Sequence, residues 1–431
     1  MNPITQGIDS HIGFKDWTRE REVATIGTNT GSIALAFQDW RHFKEAFAPE
    51  LIELAVSETK GRVAAIVDPF GGSGTTALAA QFLGIKPTTI EVNPYLADLI
   101  EAKIATIDLD AAAAAFGRVV ERAAEAKAHS AGIFPGAPAT FVEPGVKGRF
   151  LFSRLVAERI TAYREAIADE ASADIRRLFT VVLASATVPA SNVVVSGKGR
   201  RYRRGWQKRL IDPATIDDWF RDGVLRALYD LRLYGDRACI DYTLLRGDAR
   251  ERVAELPDHD LAVFSPPYPN SFDYTDVYNV ELWTMGYLDG KAANLALRNS
   301  TLRSHVQIHR DMAATGIQSG LLSETVRRLE NVAGHLWNKN IPAMVAAYTA
   351  DMATVLRGIA ARMRPAGRTY MVVGDSRYAG IDVPVAAILA QISPGIGFEV
   401  VRVEPCRSMR ASPQQGGRAE LAESLVVLER R

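Results

Sequence analysis

The chain reads as an α/β protein built on one mostly parallel sheet with helices on both faces. Three observations predict this. Short apolar runs of strand length alternate with helix-length stretches along most of the chain. Two of those runs end in turns whose residues have special backbone or chemical demands, at 68–76 and 265–268. Finally, 431 residues with 47% hydrophobic content suffice for a large core, and no internal repeat or low-complexity tract divides them.

Residues 41–105 form a compact α/β unit. A helix pattern over Phe47-Ala48-Pro49-Glu50-Leu51-Ile52-Glu53-Leu54-Ala55 leads into a strand, Val63–Val67. Asp68-Pro69-Phe70-Gly71-Gly72-Ser73-Gly74-Thr75-Thr76 follows, then a helix-like run, Ala77–Leu83. A second strand, Pro87–Ile90, ends at Glu91, and Val92-Asn93 lead to a helix near Pro94. From about 106 to 240 the character changes: helical stretches at Ala111–Ala128 and Ser153–Ala168 surround a Gly/Pro-rich loop at Gly132–Gly148. Alternation resumes with Thr243–Asp248 and the strand Leu261–Phe264, which runs into Ser265-Pro266-Pro267-Tyr268. A polar helical segment covers about 290–340, and a long helix spans Pro342–Met363. Strands at Thr369–Val373, Phe398–Val403 and Ser424–Leu428 close the chain. The expected division is therefore 1–105 and 241–431 as two halves of one sheet domain. Residues 106–240 are a large, mainly helical insertion, and about 290–340 a smaller one.

Bulk properties exclude several classes. The formal net charge is +1, so any nucleic-acid contact must come from local clusters. Cys239 and Cys406 are the only cysteines, which excludes a disulfide framework or a cysteine zinc site and fits a reducing cytoplasm. Seven histidines without ligand spacing predict no metal. The N-terminus lacks the basic-then-apolar pattern of a signal peptide, and no apolar run is long enough to span a bilayer. The expectation is a soluble cytoplasmic protein.

A strand, glycine turn and helix can cradle a dinucleotide, a phosphate or S-adenosylmethionine. The phosphate-loop lysine is missing, since Gly74 is followed by Thr75-Thr76. A carboxylate at the strand end (Asp68) repels a pyrophosphate and suits a ligand with an ammonium and a sulfonium. Glu91 is placed to accept from two ribose hydroxyls, and Asp248, closing a third strand, from an adenine amine. At Ser265–Tyr268, the serine oxygen and the Pro266 carbonyl can each accept one hydrogen of an exocyclic amine. That localises the lone pair on nitrogen, while the prolines hold the acceptors rigid. Tyr268 can stack on a base extruded from a duplex.

On these residues the chain resembles DNA amino-methyltransferases, enzymes that modify N4 of cytosine or N6 of adenine. Asp68–Thr76 matches that family's cofactor motif, Ser265–Tyr268 its catalytic motif, and Phe47-Ala48-Pro49-Glu50-Leu51 the helix ahead of the cofactor motif. Val373-Gly374-Asp375-Ser376 and Glu423–Leu428 resemble it more loosely. The resemblance implies a Rossmann-like class I methyltransferase sheet, S-adenosyl-L-methionine as cofactor and double-stranded DNA as substrate. Serine in the first catalytic position leans toward N4-cytosine, with N6-adenine the alternative. RNA or protein amino-methyltransferases carry related motifs, and a catalytically silent DNA-binding module is the non-enzyme alternative. A cognate restriction endonuclease is a possible partner. Many relatives with this style of glycine motif place it last, so the order here implies a circular permutation. Asp375 stands where relatives often carry asparagine and is given no role. Pro405-Cys406, which resembles the nucleophile of 5-methylcytosine enzymes, follows the wrong strand.

The densest positive cluster comprises Lys198, Arg200, Arg201, Arg203, Arg204, Lys208 and Arg209, interleaved with Tyr202 and Trp206. Basic groups neutralise phosphates and aromatics stack on unpaired bases, so this stretch is the expected DNA contact. Its glycines at 197, 199 and 205 suggest a mobile loop. Arg298–His305 is a thinner second candidate.

Overall fold

A computed structural model describes residues 11–41, 46–126, 132–196, 199–270, 272–314, 316, 319–410 and 420–431. Eleven strands are described: β1 Ala65–Asp68, β2 Lys86–Glu91, β3 Val193–Ser196, β4 Gly199–Tyr202, β5 Thr243–Arg246, β6 His259–Phe264, β7 Met363–Gly374, β8 Ser376–Tyr378, β9 Ile381–Val383, β10 Phe398–Arg410 and β11 Glu420–Arg430. Seven of them make one sheet in the order β10-β11-β7-β6-β1-β2-β5. β5, β2, β1, β6 and β7 are mutually parallel, and β11 runs antiparallel between β7 and β10.

The apolar runs are continuous because both faces of this sheet are covered. Leu261 and Val263 of β6 join one core cluster, with Leu51, Leu78 and Leu99 from the helices Glu50–Glu58, Thr75–Phe82 and Pro94–Ile104. Ala262 and Phe264 point the other way, to the helices Ile341–Arg362 and Val385–Ile392. Tyr370 and Val372 against Met371 and Val373 repeat the alternation on β7.

The permutation expected from the motif order is not what the sheet shows. β1 is central; the chain winds outward through β2 to β5, then returns to β6 on the other side of β1 and winds out to β7. This is a plain doubly wound connection, with one long excursion between β2 and β5. That excursion holds the helices Leu109–Glu125, Arg154–Ala168, Ala173–Ala190 and Ala214–Leu233, the last two beyond those expected from the sequence. It also holds the hairpin β3–β4, so the described part of the basic cluster begins on a paired strand where a loop is expected. The second helical segment contains Lys291–Asn299 and Gly320–Asn331. No helix of the described residues is long and apolar enough to cross a membrane.

Candidate active site

β1 and β6 are neighbouring parallel strands, with Ile66 beside Leu261 and Val67 beside Ala262. Their carboxyl ends therefore meet, and the turns at 68–76 and 265–268 open into one cavity of about 340 Å³. Ser265, Pro266, Pro267 and Tyr268 form part of its wall. Phe47, Asp68, Pro69, Phe70, Gly71, Gly72, Ser73, Thr75, Glu91, Val92, Asn93 and Asp248 line the same space. Gly74 stands just behind, as the cap of the following helix at φ +80°.

The glycine turn is shaped by close packing. Gly71 donates its N–H to the Ile90 carbonyl at 2.9 Å, and a Cβ there would lie 2.3 Å from Thr89 Cγ2. No side chain fits at that position. Glu91 binds the turn from the next strand: its Oε2 accepts from the Gly72 N–H at 2.7 Å and its Oε1 from the Asn93 N–H at 2.8 Å. Asn93 in turn caps the helix Pro94–Ile104, accepting from the Tyr95 N–H at 3.0 Å, with Pro94 at the first helical position.

Asp68 and Glu91 are buried with no ion-pair partner among the described residues. Burial pushes the Asp68 carboxyl up to about 7, only partly offset by the Phe70 N–H that it accepts at 2.9 Å. Burial likewise pushes Glu91 up to about 7, and the nearby Asp68 charge adds to the effect. Two buried carboxylates without a cation fit a ligand that brings positive charge and hydroxyl donors.

Asp248 lies in the same wall with its carboxylate already engaged. It caps the short helix Ala249–Arg252, accepting from the Arg250 N–H at 2.9 Å, and the Arg250 guanidinium holds both its oxygens. Arg250 also donates to the Asn299 carbonyl at 3.0 Å. The Asp248 carboxylate therefore meets the cavity already paired with an arginine.

At the second motif, Ser265 Oγ lies 3.0 Å from the Val372 carbonyl and 3.1 Å from the Tyr268 hydroxyl. A carbonyl oxygen only accepts, so the serine proton points at β7 and leaves the oxygen lone pairs free to accept. The Tyr268 hydroxyl donates to Glu423 at 2.8 Å, which holds the ring in place.

Four residues that shape the site, among others in its wall, were not read from the sequence. Glu423, on the last strand, lines the cavity together with Arg407. Lys103 is fully buried and donates to the Ser73 carbonyl at 2.8 Å, bracing the glycine turn from behind; burial pushes its amine down to about 7. Its signal was present: Leu96, Leu99, Ile100 and Lys103 share one helical face, so this lysine interrupts an apolar stripe. Arg250 had no such local signal.

The basic cluster divides by role. Arg203 donates to the Ser191 and Val188 carbonyls and Arg209 to that of Pro189, so both satisfy the C-terminal end of the helix Ala173–Ala190. Tyr202 and Trp206 pack on each other at 4.8 Å, and Trp206 meets Phe150 edge-on. Arg200 lies over the Phe141 ring at 5.3 Å. Arg201, Arg204 and Lys208 are exposed. Lys198 lies outside the described residues. A Cβ on Gly199 would sit 4.0 Å from that of Asp276, whose neighbours Tyr274 and Thr275 line the cavity, so the hairpin stands beside the cavity rim. From the second candidate stretch, Ser300, Thr301, Leu302, Ser304 and His305 form cavity wall, while Arg298 and Arg303 are ion-paired to Asp273 and Asp351. Among the described residues no group of three or more His, Cys, Asp or Glu side chains could hold a metal ion.

The strand order and the cavity at the carboxyl ends of its central strands define a Rossmann-like, doubly wound α/β fold with a ligand site at the switch point of the sheet. The chain is similar to the type II methyltransferase M.BsoBI of Geobacillus stearothermophilus, 23% identical over 478 residues that cover 97% of this chain and 90% of that protein. It is also similar to the type II methyltransferase M.AvaI of Nostoc sp. strain PCC 7120, 28% identical over 432 residues covering 90% of this chain and 85% of that protein. No family model matches the chain. Among solved structures, TrmN from Thermus thermophilus aligns over 92% of this chain and 52% of its own length, at 13% identity and a TM-score of 0.30.

Proposed function

We propose that the protein is an S-adenosyl-L-methionine-dependent DNA methyltransferase that modifies the exocyclic amine of a flipped base, with N4 of cytosine favoured over N6 of adenine. The observation that carries this reading is the single cavity shared by the glycine turn and Ser265–Tyr268. The names of the similar type II methyltransferases support methyl transfer within a restriction–modification setting, where double-stranded DNA is the substrate and a cognate endonuclease the natural partner.

The bound cofactor supplies an activated methyl group on a positively charged sulfur. Asp68 and Glu91 would hold its amino-acid and ribose portions and Asp248 its adenine end, with Phe47 in the same wall, and Gly71–Thr75 would let it approach the backbone closely. Ser265 Oγ and the Pro266 carbonyl accept the two amine hydrogens, which concentrates the lone pair on nitrogen. Tyr268 stacks on the base and replaces the neighbouring bases it leaves behind in the duplex. Incubating DNA with methyl-labelled cofactor and identifying the modified nucleoside tests the reading. N4-methylcytosine is the expected product, N6-methyladenine points to the alternative, and label only in RNA or protein overturns it.

The exposed Arg201, Arg204 and Lys208, on and just beyond the hairpin β3–β4, are the expected phosphate contacts. Replacing all three with alanine weakens DNA binding and flattens its salt dependence, by about 0.9 in log–log slope for each phosphate no longer neutralised. Cofactor affinity stays unchanged. Filter binding across a salt series measures both, and an unaltered slope places the DNA elsewhere.

A further inference from the structure

Resting on the reading of Ser265 as the amine acceptor, we infer that Glu423 is the final acceptor of the proton shed by the methylated amine, reached through the hydroxyls of Ser265 and Tyr268. The path is continuous: Ser265 Oγ to Tyr268 hydroxyl is 3.1 Å, and Tyr268 hydroxyl to Glu423 Oε1 is 2.8 Å. Glu423 is 3% exposed and comes from β11, more than 150 positions beyond the motif it meets.

The chemistry requires such a sink. The amine nitrogen uses its lone pair to bond the methyl carbon, and the pair of the broken carbon–sulfur bond stays on sulfur. Nitrogen is left positively charged with one proton too many. Neither a serine hydroxyl nor a backbone carbonyl can keep that proton at neutral pH, whereas a carboxylate can. Ser265 takes the proton as its own passes to Tyr268, and the phenolic proton of Tyr268 moves to Glu423. Both hydroxyls end neutral and the carboxylate ends as a carboxylic acid, with no other reactant needed. The serine proton, which faces the Val372 carbonyl at rest, reaches Tyr268 by a single rotation about Cβ–Oγ.

Of the acids in the cavity wall, Glu423 is the one hydrogen-bonded to Tyr268. Glu91 holds the backbone of the cofactor turn, Asp68 accepts from the Phe70 N–H, and Asp248 is held by Arg250 as Glu423 is by Arg407, whose Nη2 also lies 3.3 Å from Glu423 Oε1. The groups facing Glu423 are Tyr268 from the β6 exit, and Arg407 and Cys406 from β10. Arg407 Nε lies 2.7 Å from Oε2, and the Cys406 thiol points to the Glu423 backbone carbonyl at 3.2 Å. Burial raises the Glu423 carboxyl above its ordinary range, countered in part by Arg407 and Tyr268, which suits a temporary proton holder.

Glu423→Gln keeps an oxygen to accept from Tyr268 but cannot take a proton, and Tyr268→Phe keeps the stacking ring but cuts the path. Under single-turnover conditions with saturating cofactor, each variant should transfer methyl to DNA about tenfold more slowly or worse. The double variant should be no slower than the slower single one, because both break the same path. The acid limb of the wild-type rate profile should vanish in Glu423→Gln, while cofactor affinity by calorimetry stays unchanged. A Glu423→Gln rate within about twofold of wild type with its acid limb intact overturns the inference, as do losses that multiply in the double variant. Should Glu423→Gln lose cofactor binding, Tyr268→Phe alone decides, and a full rate there overturns the path. A wild-type protein that methylates no DNA sinks the functional reading itself; a wild type that does so with active variants sinks only the path.

Discussion

Ser265→Ala should methylate DNA about a hundredfold more slowly than the wild type, or worse, with its cofactor affinity unchanged. The size follows from losing one preorganised acceptor at the reacting nitrogen, on the order of 3 kcal/mol of transition-state stabilisation. The geometry gives this serine an unusual constraint. The Val372 carbonyl draws its proton toward β7, so the oxygen meets the cavity as an acceptor before any substrate arrives. A freely rotating hydroxyl has to be reoriented when the substrate binds; this one does not. The substitution should leave the rest of the wall standing, because Glu423 still anchors the Tyr268 hydroxyl. Single-turnover label transfer and calorimetric titration separate the two effects. A variant that keeps the full rate shows that another group activates the amine.

Asp68→Asn should weaken the cofactor by one to two orders of magnitude and remove the share of the pH dependence of its binding that Asp68 carries, leaving that of Glu91. At an effective dielectric near 20, a carboxylate about 4 Å from a cation contributes roughly 4 kcal/mol, and partial protonation reduces this at neutral pH. Burial holds the free Asp68 and Glu91 carboxyls at about 7. A cation binds the ionised form, so binding releases protons, and wild-type affinity should rise as pH increases through about 7. An analogue with a neutral thioether should gain less across the same range.

The unliganded protein should show the opposite trend. Between the unfolded carboxyl values of 3.8 and 4.5 and the folded values of about 7, the folded state binds more protons than the unfolded chain. Its stability therefore falls as pH rises through that window. Lys103 acts in reverse above it. With a folded value of about 7 against 10.5 unfolded, it makes the unfolded chain the better proton binder, and stability recovers toward alkaline pH. Thermal unfolding should thus give a shallow stability minimum near pH 7 that added cofactor fills in. A Tm that rises steadily from pH 5 to 8 without ligand contradicts these assignments.

Much of this site was legible in the chain because its demands are local. A turn that presses against Thr89 and Ile100 excludes a Cβ at Gly71, and a helix cap beside Glu91 calls for Asn93-Pro94. Sheet strands buried on two faces cannot alternate in polarity, so β1, β6, β7 and β11 stood out as apolar runs. The basic cluster was legible as charge but not as role. Whether an arginine meets a phosphate or a helix end depends on where Ala173–Ala190 stops, and that helix lay unrecognised beside the cluster.

By itself, then, the order of residues determined the α/β class, the two strand-end turns and the kinds of chemical group each presents. Those are properties of a few neighbouring positions and their backbone preferences. The tertiary structure alone decided that the chain winds through the sheet without permutation, that Arg250 occupies Asp248, and that Lys103 braces the turn. It also decided that Glu423 closes the hydrogen-bonded path from Ser265. Most of these contacts join residues far apart in the chain, and burial, rather than spacing along it, sets their charge states.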